Sequence, residues 1–120
     1  MRHFIKSMSY ALKGIRYVWK NEINFRIQSI VGIAVILLGF YFSITRTEWL
    51  FVITLIFAVL SCELLNSAFE KIIDIVKPRL HHQVELAKDI SAGMVLSVSF
   101  CALIMGVYIF YPYIIELFHK

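Results

Sequence analysis

Charge is scarce in this chain. Asp, Glu, Lys and Arg supply only 17% of its 120 residues, too little to wet the surface of a soluble domain of that size. Apolar residues make up 60%, and a domain this small has too thin a core to hide them. Something apolar must cover the remainder, and a bilayer is the simplest cover. Other absences narrow the reading further. The two cysteines, Cys62 and Cys101, both fall inside apolar stretches, where they act as small apolar residues and not as a disulfide framework. The five glycines are scattered, and no G-x-x-x-x-G-K-S/T loop is present to cradle a phosphate. No linker, repeat or low-complexity segment marks a second domain, so residues 1–120 are read as one. The first 26 residues lack the continuous apolar core and small-residue cleavage site of a signal peptide.

What is present is three long apolar stretches, which predict membrane-spanning segments over residues 27–44, 49–76 and 90–117. Each reaches the roughly 18 to 20 residues that a helix needs to cross a hydrocarbon core of about 30 Å. Backbone groups in lipid must be satisfied within the segment, and the alternation expected of barrel strands is missing, so the spans are read as helices. The fold class is all-α integral membrane. Arg2, Lys6, Lys13, Arg16, Lys20 and Arg26 precede the first span against a single acid, Glu22, while Lys71, Lys77, Arg79 and Lys88 follow the second. The positive-inside rule places the N-terminus and the 71–89 loop in the cytoplasm and the C-terminus outside. Tyr108, Tyr111 and Tyr113, with Pro112, resemble an aromatic belt at the outer interface.

Residues 1–26 read as an interfacial amphipathic helix. At about 100° per residue, Arg2, Lys6, Lys13, Arg16 and Lys20 share one narrow sector, with Phe4, Ile5, Met8, Leu12, Ile15 and Trp19 on the other side. The apolar face can sink into the headgroup boundary while the basic face meets anionic lipid phosphates, a partner that the net charge of +4 also favours. Because the basic residues abut a span and no recognition motif accompanies them, nucleic acid is not the expected partner. Glu22 breaks the pattern by projecting onto the apolar side, with Arg26 one turn later. Either the helix bends near Asn21 into the first span, or these charges face other protein groups; a plain surface ion pair between the two is the blander alternative.

The second span carries the strongest signal. In S-C-E-L-L-N-S-A-F-E-K-I-I-D-I-V, residues Glu63, Asn66, Glu70 and Asp74 recur in helical register and share one face. A charged side chain at membrane depth costs at least about 2.5 to 3.5 kcal/mol, so these glutamates need a compensating partner: Mg²⁺, a cation from another helix, or a proton. Glu70 and Asp74 lie near the cytoplasmic end, and Glu63 sits about 10 Å deeper. Mg²⁺ takes hard oxygen ligands, and Glu22 and Glu70 could both reach that interface. Glu63, flanked by Cys62, Leu64 and Leu65, is desolvated in a way that suits a general base. The competing reading is that the stripe joins helices by hydrogen bonds, most plausibly for Asn66 and Asp74.

After this span comes K-P-R-L-H-H-Q-V-E-L-A-K-D, in which Pro78 is expected to end or kink the helix ahead of a short connection. Lys88 can meet a phosphate and Asp89 can cap a helix or orient a cation, although a solvated cap is the default for such a pair. The adjacent His81 and His82 lack the spaced partners of a metal site and read as loop residues.

The run E-L-L-N-S-A-F-E-K-I-I-D, followed after a short loop by A-K-D-I-S-A-G and preceded by W-K-N-E-I-N-F-R, resembles the prokaryotic diacylglycerol kinase family over nearly the whole chain. That family includes enzymes that phosphorylate diacylglycerol and others that phosphorylate undecaprenol, and the turn T-R-T-E-W is similar to the undecaprenol-using branch. The resemblance implies an ATP- and Mg²⁺-dependent lipid kinase of the bacterial inner membrane, acting as a homotrimeric helical bundle at the cytoplasmic edge. It implies Glu63 as the base for the lipid hydroxyl, with Asn66 supporting it, and Glu22 and Glu70 as Mg²⁺ ligands that hold the nucleotide. Tyr10, His81, Lys88 and Asp89 fall at its nucleotide-contact positions. His3 departs from the family's usual basic residue, leaving Arg2 or Lys6 as the substitute, and Ser67 and Phe69 vary the second-span motif without touching its acids. Phosphoryl transfer asks mainly for positioning and charge neutralisation, and these residues supply both.

Two readings from other classes stand beside this one. A small oligomeric ion-coupled transporter would use Glu63 as its proton or cation site, but residues 50–60 offer only Thr54 as a polar route outward. A noncatalytic membrane subunit would use the stripe for assembly.

Overall fold

The computed structural model describes residues 1–76 and 82–120, and within them all regular structure is helical. Helix α1 spans Arg2–Asn21, α2 Ile23–Phe42, α3 Arg46–Val76 and α4 His82–Phe118. The last three are each long and apolar enough to cross a bilayer, so the chain is a multi-pass membrane protein.

The N-terminal helix and the first span are separated by one residue. Glu22 has an extended backbone, φ −115° and ψ 108°, which ends α1 and begins α2. Asn21 donates its side-chain amide to the Tyr17 carbonyl one turn earlier at 2.8 Å, and the Glu22 N–H closes on the Val18 carbonyl at 2.8 Å. Across the elbow, Trp19 meets Phe25 edge to face with ring centroids 6.4 Å apart. The bend expected near Asn21 is therefore present. Glu22 becomes the N-cap of α2, with the Arg26 N–H on its carbonyl at 3.4 Å.

The interfacial helix ends at Asn21 and not at residue 26, and the start of every span differs from the hydropathy reading. The first span starts at Ile23 and not at residue 27, because Asn24 and Arg26 are tolerated in a helix although they lower hydropathy. The α3 helix starts at Arg46, three residues before the apolar run. Helix α4 starts at His82 where a connection up to residue 89 was expected, since Gln83, Glu85, Leu86, Ala87 and Lys88 are good helix formers. Lys71, counted above with the loop, lies within α3.

The turn between α2 and α3 is closed from both sides. Ser43 adopts the left-handed conformation, φ 51° and ψ 54°, with its N–H on the Phe40 carbonyl at 3.3 Å and the Ile44 N–H on the Gly39 carbonyl at 3.2 Å. This is a Schellman pattern with serine where glycine is usual. Thr45 and Glu48 then cap α3 reciprocally, the Thr45 N–H on the Glu48 carboxylate at 2.9 Å and the Glu48 N–H on the Thr45 hydroxyl at 3.2 Å. Tyr113 of α4 donates its hydroxyl to the same carboxylate, so a residue read as belt ties α4 to the turn. Ser43→Gly is expected to stabilise the protein by about 0.5–1 kcal/mol by relieving the left-handed serine; thermal unfolding in micelles checks this.

The tightest packing lies just inside this turn. Ile44, Val52, Ile109 and Phe110 form the buried cluster, joined by Val35, Phe42, Trp49, Ile56 and Tyr113. Gly32 and Gly39 let α2 approach α3, since a Cβ on either would meet Ile56 or Trp49. Elsewhere large apolar side chains face outward, as with Phe57 at 65%, Leu96 at 72% and Tyr108 at 79% exposure. The buried cluster is thus at the turn end of the bundle, while at the α1 end single buried apolar residues, Val18, Phe25, Ile73 and Val84, accompany polar groups.

Candidate active site

The polar face of α3 points into the α1 end of the bundle, and its burial falls from the centre outward. Glu63 is buried at 5% exposure, Asn66 and Glu70 are half-buried, and Asp74 is exposed. The four residues that shared a face by spacing thus divide by depth. Glu22 reaches this region from the elbow: it is half-buried and makes no side-chain cap on α2. The charges that act on the Glu63 carboxylate are those of Glu22 and Glu70. Glu63 and Glu70, two turns apart on α3, and Glu22 from the elbow therefore lie within electrostatic range, and little water reaches Glu63.

Helix α4 completes the wall. Ser91 is buried and donates its hydroxyl to Asn66 Oδ1 at 2.7 Å. That bond sets the antiparallel register of α3 and α4. It brings Lys88, one turn before Ser91 and half-buried, level with the Phe69–Glu70 step of α3. Asp89 beside it is exposed. Ser91→Ala is expected to cost about 1–3 kcal/mol of stability, because the Asn66 amide oxygen loses its donor; unfolding in micelles measures it.

Not every expected site residue gathers here. Tyr10 stands on α1 at 68% exposure, about 18 Å along the helix axis from Glu22. Arg2, His3 and Lys6 lie further out on the same helix and are exposed. His81 lies outside the described residues. Two participants were missed by sequence reasoning. Ser91 stood in A-K-D-I-S-A-G as one small residue among several, and with Lys88, Asp89, Ser97 and Ser99 on the same helix nothing local singled it out. Lys71 stood in the α3 motif, but its ammonium lies over the Tyr17 ring at 4.8 Å from the centroid.

Among the described residues no three His, Cys, Asp or Glu side chains converge tightly enough to enclose a metal ion. A cation bound here would take one or two carboxylates and complete its shell from elsewhere, which is how Mg²⁺ commonly binds beside phosphates. A buried carboxylate, two more in range of it, and a lysine on the facing helix can accept a proton and hold a charged group at the end of a membrane bundle.

The architecture and this cluster define a polytopic membrane protein with a polar, acid-lined site at one end of its helices. Residues 9–110 match the sequence model of prokaryotic diacylglycerol kinase. The chain is 33% identical to the undecaprenol kinase of Bacillus subtilis over 93% of its own length and 91% of that protein. It is 30% identical to the diacylglycerol kinase of Haemophilus influenzae, covering 92% of this chain and 95% of that one. A further diacylglycerol kinase, from Helicobacter pylori, is 30% identical over 94% of this chain and 89% of the relative. The chain belongs to the prokaryotic diacylglycerol kinase family and is a lipid kinase.

Proposed function

We propose that this kinase transfers the γ-phosphate of ATP to the hydroxyl of diacylglycerol or undecaprenol, with Mg²⁺, at the cytoplasmic edge of the bacterial inner membrane. The observation that carries this reading is the buried Glu63 carboxylate, faced by Glu22 and Glu70 at one end of the spans. Glu63 accepts the proton of the lipid hydroxyl as that oxygen attacks phosphorus, and Asn66, held by Ser91, orients the region beside it. Glu22 and Glu70 would hold Mg²⁺, which when bound neutralises charge on the nucleotide's phosphates. Lys88 adds a positive charge level with Glu70, and the family resemblance makes Asp89, His81 and Tyr10 further nucleotide contacts. The lipid arrives sideways from the bilayer, so no separate entrance for it is needed.

The cytoplasmic assignment rests on Arg2, Lys6, Lys13, Arg16, Lys20 and Arg26 lying at the site's end of the molecule. A homotrimer is part of the proposal, and two features support it. The spans carry many outward apolar side chains, and Tyr10 is far from the acids within one chain, as in a site that draws residues from neighbours. Relatives named for diacylglycerol and for undecaprenol leave both lipids as candidate acceptors.

The test is phosphate transfer from labelled ATP to each lipid by purified protein in mixed micelles, with and without chelation of Mg²⁺. Transfer to at least one lipid that stops on chelation is expected. Absence of transfer to both would overturn the proposal, and transfer indifferent to chelation would overturn its metal part.

A further inference from the structure

The acidic site depends on where Glu22 stands, and nothing at the elbow itself settles that. Glu22 has an extended backbone and makes no side-chain cap, so its carboxylate is not locked by its own helix end. Its position must follow from how α1 lies against α3. One side-chain contact between those helices stands out. The Lys71 ammonium sits over the Tyr17 ring, 4.8 Å from the centroid, a cation–π arrangement joining α3 to α1. Tyr17 is one turn before Asn21, whose amide is bonded to the Tyr17 carbonyl, so the ring is attached to the last ordered turn before the elbow. Lys71 directly follows Glu70, and besides the phenol the groups acting on its charge are Asp74 and Glu22. Both ends of the contact are therefore adjacent in sequence to groups of the site.

We propose that Lys71 is a positioning residue for this kinase: by stacking on Tyr17 it holds α1 against α3 and so sets Glu22 opposite Glu70. The inference rests on the reading of Glu22 and Glu70 as the groups that hold the Mg²⁺–nucleotide. It adds a residue pair, Tyr17 and Lys71, that touches neither substrate. Loss of the contact lets the last turn of α1 swing, spreading the two carboxylates and weakening nucleotide binding while the lipid hydroxyl still meets Glu63. Arginine stacks on an aromatic ring as lysine does, and phenylalanine offers the same ring face as tyrosine, so conservative changes preserve the clamp.

The experiment compares wild type with Lys71→Met, Lys71→Arg, Tyr17→Leu, Tyr17→Phe and the Lys71→Met/Tyr17→Leu double variant. Lys71→Met and Tyr17→Leu are each expected to raise the KM for Mg-ATP about two- to five-fold, with the lipid KM unchanged. The Arg and Phe variants should stay at the wild-type value, and the double variant should be no worse than either single one. A second readout needs no turnover. Spin labels at positions 9 and 75, in a Cys62→Ala/Cys101→Ala background, report the α1–α3 distance, which should broaden in Lys71→Met and Tyr17→Leu alone. An unchanged distance distribution in Lys71→Met, failure of Arg to restore the KM, or additive losses in the double variant would each overturn the clamp. If wild type transfers no phosphate at all, the kinase chemistry proposed above fails, and the label distances still decide whether the clamp exists.

Discussion

Glu63→Gln is expected to reduce phosphoryl transfer by about a hundred- to ten-thousand-fold while leaving the folded protein as stable as wild type or more so. The two effects point in opposite directions for a physical reason. Glutamine keeps the shape of the side chain and its capacity to accept a hydrogen bond, but it cannot take a proton from an attacking hydroxyl. Glu63 is 5% exposed, and two further carboxylates act on it. An ion so placed is a liability for folding, and removing its charge relieves both desolvation and like-charge repulsion. Had the residue served only to join helices, activity and stability would fall together. The measurement is kcat and KM for both substrates beside the midpoint of thermal unfolding in the same micelles. A base confined to the transition state predicts a fall in kcat with KM little changed. Wild-type kcat in the variant would sink the assignment, and so would a loss of activity matched by a loss of folded protein.

The part of the site that lies on one helix was legible in the sequence, because 3.6-residue periodicity places Glu63, Asn66 and Glu70 together without knowledge of any other element. The depth ordering was legible too, since axial rise converts residue number to distance. What joins different helices was not. The Ser91–Asn66 and Tyr113–Glu48 bonds link residues 25 and 65 positions apart, and no local pattern encodes such pairings. Hydropathy also misjudged where helices start: it reports cost in lipid, whereas α3 begins at Arg46 and α4 begins before Lys88. The elbow at Glu22 stood between two alternatives in the sequence, and the extended backbone at that residue decides for the bend.

Gly39→Ala is expected to destabilise the protein by overpacking the α2–α3 contact. A Cβ at this position would lie 2.7 and 2.9 Å from two ring carbons of Trp49 and 3.2 Å from the Ile44 methyl. The indole has little room to yield, because it packs on Phe40 with centroids 4.9 Å apart and lies against the buried cluster of Ile44, Val52, Ile109 and Phe110. Overpacking of this kind costs about 1–3 kcal/mol, and the gain in helix propensity from glycine to alanine returns up to about 1 kcal/mol, so a net loss of about 1–2 kcal/mol is expected. Gly14→Ala is the matched control. No atom lies within 4 Å of a Cβ there, so only the propensity gain remains and the variant should unfold at a slightly higher temperature. Combining Gly39→Ala with Trp49→Leu should recover part of the loss, since the substituted side chain vacates the space, and the coupling energy of that cycle measures the contact directly. Equal stability of Gly39→Ala and wild type would show that α2 and α3 do not depend on this approach. Trp49 stands fourteen residues before Glu63 on α3, about 21 Å along the axis, so the specific activity of the folded fraction should stay at the wild-type level. Stability lost at the turn end with activity kept at the α1 end is the outcome that follows if the chemistry proposed for Glu63 lies away from the buried cluster of Ile44, Val52, Ile109 and Phe110.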